Sequence, residues 1–365
     1  MTSSNKETKT LTILVFILVG FGLLLLSSAG VIEGQKKFGS ALYYFWHQLT
    51  AGALLGGLAY FVFSKINYKF WKKVALPFLL VALSFMMAIF VPQLGLAAKG
   101  ATRWLDVGLF SFQPGEILKL AMILYLAAWF GGRSYKEKVW SYSLIPFLVV
   151  FFFAALLLVL QPDMGTLGIV TIITLSIFFF AGGKTSFFLS LAGVILVGFF
   201  SMAIFSHYQF NRLLAFINRA GDPQGISYHI NQALLAIGRG GWWGVGFGRS
   251  EQKSGFLPEP VGDSIFAILV EELGLIGAGA LITVFLLLIF HLVRIAKNTP
   301  DRFAQLFVMG VAVWIASQAF INIAAITGLV PLTGIPLPFI SYGGTSLAVL
   351  LGSLGIVASI AKQQS

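Results

Sequence analysis

Cysteine is absent from the 365 residues, so disulfides and thiolate-held metal sites are excluded. Histidine is scarce: His47, His207, His229 and His291 stand singly, with no H-x-x-x-H pair to bind zinc. Charge is scarce as well. Only 10% of the residues are Asp, Glu, Lys or Arg, against about 25% in a soluble domain. A chain that is 58% hydrophobic cannot cover itself with a water-compatible surface. Nucleotide signatures also fail. In GGKTS (182–186) the first P-loop glycine is replaced by Phe178, and GVGFGRS follows a non-strand segment with the wrong glycine spacing. No G-x-S-x-G elbow or H-E-x-x-H motif occurs.

What the chain does contain is a series of apolar runs close to the ~20 residues that cross a bilayer as a helix. The short alternating segments of a membrane β-barrel are missing. The expectation is an all-α polytopic integral membrane protein with about ten transmembrane helices, at 11–30, 41–63, 74–92, 114–131, 141–160, 163–181, 185–206, 263–291, 303–327 and 342–361. The polar start MTSSNKETKT leads into a retained first span rather than a cleavable signal. SKINYKFWKK, GGRSYKEKVW, GGKTS and HLVRIAKNTPDR carry much of the Lys and Arg, which places both ends on the cytoplasmic side. The net charge of +11 therefore reads as membrane-facing, with no nucleic-acid partner. One membrane domain covers 1–365, without a repeat. Its long outward loop, about 207–262, opens with YQFNRLLAFINRAG, an amphipathic pattern suited to a membrane surface. With the glycine-rich GRGGWWGVGFGRS able to absorb backbone change, the 207–262 loop reads in two ways, as a mobile lid over the site or as a rigid cap that joins two spans.

Carboxylates gather where that loop enters a span, in FLPEPVGDSIFAILVEELG (256–274). Asp263 reads in two ways: as a helix N-cap, or as a partly desolvated general base. Glu271 and Glu272 lie two turns deeper, where ionisable groups face a cavity or a partner. QPGEILKL (113–120) places Pro114 in a first helical turn, with Glu116 three residues before Lys119. That pair is either self-satisfied or offers Lys119 to an anion at the bilayer edge. QPDMGT (161–166) repeats the device with Pro162 and Asp163, and AAKGATRWLD (97–106) sets Arg103 beside Trp104 as in an interfacial anchor.

KGATRWLDVG, FQPGEILKL, QPDMGT, LPEPVGDSIFAILVEELG and GLVPLTGIPLPFISYGGTS occur in this order. Together they resemble the motifs of the SEDS family (shape, elongation, division and sporulation), of FtsW and RodA type, over about residues 97–361. SYHINQALLAIGRGGWWGVGFGRSEQKSGFLPEP (227–260) is nearer the FtsW branch. The chain departs from that branch at Gly262-Asp263-Ser264, where T-D-F is common, and at Arg239-Gly240-Gly241, where S-G-G is common. The resemblance implies a peptidoglycan glycosyltransferase that polymerises lipid II at the outer face of the cytoplasmic membrane, inverting at the donor sugar and releasing undecaprenyl diphosphate. The catalytic aspartate of its L-P-E-x-x-x-D motif falls on Asp263. Arg103, Glu116, Lys119, Asp163, Arg212, Arg239, Arg249, Glu259 and Ser341 are the corresponding substrate-binding candidates. A divalent cation, Mg²⁺ or Mn²⁺, is an open cofactor, with Asp263 as a possible ligand. The implied partners are lipid II, the growing glycan strand, membrane lipids and a class B penicillin-binding protein. Three alternatives stand beside this reading: a lipid II flippase, a non-catalytic activator of a transpeptidase, and a RodA-type elongation role.

Overall fold

The computed structural model describes residues 3–98, 101–108, 111–132, 140–193, 198, 207–217 and 227–363. In chain order its helices are α1 (Ser3–Ala29), α2 (Val31–Phe38), α3 (Tyr43–His47), α4 (Leu55–Phe63), α5 (Tyr68–Ala88), α6 (Pro114–Gly131), α7 (Trp140–Leu160), α8 (Met164–Phe180), α9 (His207–Ile217), α10 (Tyr228–Gly240), α11 (Ile265–Asn298), α12 (Arg302–Ile326) and α13 (Gly344–Lys362). Six of them, α1, α5, α6, α11, α12 and α13, contain segments long and apolar enough to cross a membrane, and the shorter apolar helices Phe147–Leu160 and Met164–Phe180 accompany them. The six answer the expected spans at 11–30, 74–92, 114–131, 263–291, 303–327 and 342–361. The expected span at 41–63 is helical but runs from α3 to α4 through a π-helical turn, Gln48–Leu54. The expected span at 185–206 is helical over 185–193, and most of its remainder lies outside the described residues.

Two helices begin well before their apolar stretch does. Asn67 caps α5 by accepting from the Lys69 amide at 2.9 Å, so the basic turn KFWKK belongs to the helix. The polar N-terminal residues are likewise part of α1. Glu7 is buried there, with its carbonyl against His291 Nε2 at 2.8 Å and its carboxylate 3.3 Å from Arg294. Hydropathy marks the lipid-facing length of a helix, whereas caps and ion pairs set its ends.

An all-α chain was expected, and a small β element corrects that. Gly95–Ala98 (β1), Ala101–Asp106 (β2) and Ser111–Phe112 (β3) form an antiparallel sheet in the order β1-β2-β3. Trp104 pairs with Leu96, and Leu105 with Gly95 and Phe112. The strands are too short to show a clear two-residue period, so the stretch reads as a loop.

At the centre, α6 and α13 are sheathed by neighbours. α6 packs on α5, α8 and α12, while α13 packs on α4, α1 and the π turn. Apolar side chains gain little by leaving lipid, so close backbone approach and van der Waals contact hold such helices together. Gly355 shows the approach: a Cβ there would lie 2.5 Å from the Tyr60 carbonyl oxygen.

Candidate active site

Residues 331–341, PLTGIPLPFIS, form the hub around which the site is built. Three prolines deny the segment regular structure and remove amide donors, so its carbonyls take hydrogen bonds from side chains. Gln318 Nε2 donates to the Pro336 carbonyl at 3.0 Å, and Asn322 Nδ2, one turn on along α12, to the Ile335 carbonyl at 2.7 Å. Arg212 of α9 donates to the Leu332 carbonyl at 3.0 Å. The first turn of α8 abuts the same segment, since a Cβ on Gly165 would meet Ile335 at 3.0 Å.

Asp263 lies beside this hub, and its backbone is clamped from several elements. Asn322 Nδ2 donates to the Asp263 carbonyl at 2.8 Å. The Ser341 hydroxyl donates to the Gly262 carbonyl and accepts from the Leu337 amide, both at 2.7 Å. The Tyr342 amide donates to the Val261 carbonyl at 2.8 Å. Glu259, in a left-handed turn (φ 51°), accepts from the Gly262 and Ser264 amides through its carbonyl. Non-glycine residues held in that region mark an over-determined turn. One oxygen of the Asp263 carboxyl, Oδ1, is by contrast enclosed and without a hydrogen-bond partner. Burial pushes the carboxyl above its ordinary value, Glu259 adds to the rise, and His229 and Arg212 oppose it.

Asp263 is therefore not the N-cap that position alone allows. Ser264 holds that place, yet its hydroxyl serves the Pro258 carbonyl (2.8 Å) and His229 Nε2 (2.6 Å) instead of the first helical amides. A buried carboxylate oxygen without a partner calls for an explanation in a folded protein, and a reacting group supplies one.

Glu116 and Lys119 meet as the spacing suggests, at 2.8 Å, and both are buried, 3% and 2% exposed. Lys119 Nζ also donates to Gln318 Oε1 at 3.0 Å and lies 5.0 Å from the centre of the Trp314 ring. Trp314 Nε1 donates to the same Gln318 oxygen at 2.7 Å. Lys119 thus fixes the amide that holds Pro336. Asp163 does cap α8, accepting from the Thr166 amide at 3.2 Å and its hydroxyl at 2.8 Å. The Arg103 guanidinium is bonded to the Gln161 and Pro162 carbonyls, so it shapes the α8 entry.

The other candidates sit apart from Asp263 in bonding. Arg239 pairs with Glu251 at 2.5 Å and approaches Glu271 at 4.0 Å, and the side chain of Arg249 is exposed. Both belong to a glycine-rich stretch that is fastened to α11. At Gly274 (φ 67°) α11 kinks, and its helical bonding is exchanged for bonding to the loop. The Leu275 and Ile276 amides donate to the Gly241 and Trp242 carbonyls, while the Glu271 and Glu272 carbonyls accept from Val245 and Gly246. The two carboxylates complete the anchor. Glu272 takes Ser28 (2.6 Å) and Lys253 (2.7 Å), and Glu271 takes the Ser250 hydroxyl and the Glu251 amide (3.2 Å). Arg219, the other basic residue of the expected amphipathic helix, lies outside the described residues; the helix itself is α9.

Gly274→Ala tests this anchor. A methyl there would lie 2.3 Å from the Trp242 carbonyl oxygen on a positive-φ backbone, at a cost on the order of 1–3 kcal/mol from the conformation alone. Faster proteolysis within 239–253 is the expected result, and unchanged protection would show that the kink does not hold the loop.

Sequence reasoning passed over His229, Ser264, Gln318 and Asn322. Gln318 and Asn322 lie one turn apart on α12, a spacing that could have drawn notice as a polar stripe in an apolar span.

The chain has relatives of known family. The family model for cell cycle proteins of the FtsW, RodA and SpoVE group matches residues 9–365. The chain is 34% identical to the stage V sporulation protein E of Bacillus subtilis (strain 168), over 99% of this chain and 98% of that one. It is 36% identical to a probable peptidoglycan glycosyltransferase FtsW of Trichlorobacter lovleyi, over 96% and 92%. Its fold superposes with a TM-score of 0.80, at 27% identity and 97% coverage of both chains, on a chain from a structure addressing the structural coordination of polymerization and crosslinking by a peptidoglycan synthase complex. The chain is a member of the FtsW/RodA/SpoVE family of cell cycle proteins.

Proposed function

We propose that the chain is a multi-pass membrane glycosyltransferase that polymerises lipid II at the outer face of the cytoplasmic membrane, with Asp263 as its general base. One observation carries the reading: the enclosed, unpartnered Oδ1 of Asp263 sits on a backbone clamped from α12 and the 331–342 segment. A rigid frame around a carboxylate with an unpartnered oxygen suits a group that must accept a proton in a fixed direction.

In the reaction, Asp263 takes the proton of the acceptor's GlcNAc 4-hydroxyl. The freed oxygen attacks C1 of the donor MurNAc as the bond from C1 to the pyrophosphate breaks, with inversion and release of undecaprenyl diphosphate. Arg212, whose charge already bears on Asp263, is the cation best placed to offset charge developing on the leaving group. Ser341, Asn322, Gln318, Lys119 and Glu116 act as positioning residues, and Glu259 shapes the turn that presents Asp263. Among the described residues no three His, Asp or Glu side chains gather to hold a metal ion. A divalent ion would be held through the Asp263 carboxylate and take further ligands from substrate phosphate and water, the habit of Mg²⁺.

One membrane domain over 1–365 with both ends cytoplasmic puts Asp263 on the side where lipid-linked sugars are joined. Similarity to FtsW- and SpoVE-named proteins supports a division-type role, and similarity to a chain of a synthase complex supports a class B penicillin-binding protein as partner.

The test is incubation of the purified chain with lipid II. Glycan strands and undecaprenyl diphosphate in stoichiometric release are expected. Translocation of lipid II across vesicles without polymer would instead identify a flippase, and polymer formed only by an added transpeptidase complex would identify an activator.

A further inference from the structure

The exposure pattern of α11 marks where the bilayer begins. From Ile265 to Glu272 every residue is buried in protein, whereas past the kink Leu275, Ile276, Leu286, Leu287 and Phe290 are exposed. That apolar face runs from Gly274 to the exposed Arg294. Those twenty residues span about 30 Å of helix, the thickness of a bilayer's hydrocarbon core. α1 gives the same measure. Its Glu7 meets Arg294 at 3.3 Å and its Ser28 meets Glu272 at 2.6 Å, and the helix between them again spans about 30 Å. The outer edge of the hydrocarbon therefore falls at the Gly274 kink.

The long loop is bonded to α11 at that same level. The Leu275 amide donates to the Gly241 carbonyl at 2.9 Å and the Ile276 amide to the Trp242 carbonyl at 3.2 Å. The turn also presses on the helix backbone, since a Cβ on Gly244 would lie 2.2 Å from the Glu272 carbonyl oxygen. Trp242 and Trp243 are nonetheless 70% and 81% exposed, and Phe247 beyond them is half exposed. Apolar surface of this size on a fastened segment calls for a covering phase. Continuity with the lipid-facing residues Leu275 and Ile276 supplies one. Indoles favour the headgroup boundary, where the ring leaves water and the N–H keeps a polar partner. The exposed Arg249 of the same stretch suits lipid phosphates.

We propose that the Trp242–Trp243 turn is a membrane contact, with both indoles seated in the outer-leaflet interface and Arg249 among the phosphates. The contact holds the loop at the level of the bilayer without a protein partner, whatever reaction Asp263 performs. It also bears on the site through one short helix. α10 ends at this turn, and near its other end His229 Nε2 lies 2.6 Å from the hydroxyl of Ser264, the neighbour of Asp263.

The lack of cysteine makes spin labelling of the full chain direct. Labels at Trp242→Cys and Trp243→Cys are compared in proteoliposomes of phosphatidylethanolamine and phosphatidylglycerol. Leu286→Cys serves as the lipid reference and Lys37→Cys, on an exposed side chain of α2, as the aqueous one. Power saturation with dissolved oxygen and with an aqueous nickel chelate reads the depth. Both tryptophan positions should fall between the references, with chelate access well below that at position 37. Chelate access equal to that at position 37 would overturn the proposal and leave the patch to a protein partner. A second variant keeps the aromatic bulk. Trp242→Phe, Trp243→Phe removes two of the eight tryptophans, and the fluorescence quenching lost should be larger for lipids brominated near the headgroup than near the chain end. Equal loss at both depths, or none, would contradict the contact.

Discussion

Lys119→Met is expected to destabilise the protein by about 3–5 kcal/mol, the usual cost of leaving one member of a buried ion pair alone. Lys119 is 2% exposed and Glu116 3%, so little water can replace the lost ammonium. Glu116 Oε2 already lacks a hydrogen-bond partner, and its other oxygen would join it. Gln318 would lose a donor as well, and with it part of the hold on Pro336. The double variant Glu116→Gln, Lys119→Met removes both charges and should recover most of the stability, since apolar or neutral replacements of a buried pair are often tolerated. Thermal unfolding of the four proteins in detergent or nanodiscs measures the coupling. Additive losses would show that the pair does not act as a unit.

Asp263→Asn is expected to lower polymerisation by about 10²–10⁴-fold, the range for removing a general base, and to raise the melting temperature. The rise follows from the sign of the titration. Burial raises the folded-state value of Asp263 above its ordinary one, so the folded protein binds the proton more readily than the unfolded chain. The stability this contributes is full below the ordinary Asp value and is lost as pH rises through the raised one. At working pH the ionised Asp263 is thus a destabilising group held for function, and the asparagine removes that cost. The gap in melting temperature between variant and wild type should widen from about pH 4 to about pH 8. A variant less stable than wild type at the higher pH would mean that Asp263 serves the fold.

Much of this arrangement could be read from residue patterns. The apolar runs of α6, α11, α12 and α13, the Glu116–Lys119 spacing and the Asp163 cap are local features, each set by residues within a few positions of one another. The resemblance in LPEPVGDS singled out Asp263. What local pattern could not convey was long-range pairing. Ser341 and Gly262 are 79 residues apart, and Lys119 and Gln318 are 199 apart. Such contacts give Lys119 and Ser341 partners that local spacing does not show. The fastening of the glycine-rich stretch was hidden for a related reason. Its freedom was read from composition, but Gly274 in the next helix exposes carbonyls that the loop amides satisfy, and Glu271 and Glu272 close the anchor. His229 escaped notice because a lone histidine shows its role only through the serine it meets.

The most direct test of the central claim, that Asp263 is the open base in a clamped site, is the single-turnover rate of lipid II consumption across about pH 5 to about pH 8 for the wild type and Asp263→Asn. The wild-type rate should fall as pH drops through a value above the ordinary aspartate range, and the variant should lack that limb and run about 10²–10⁴-fold slower at the plateau. A variant that turns over at the wild-type rate, or a wild-type profile flat across the range, would contradict it.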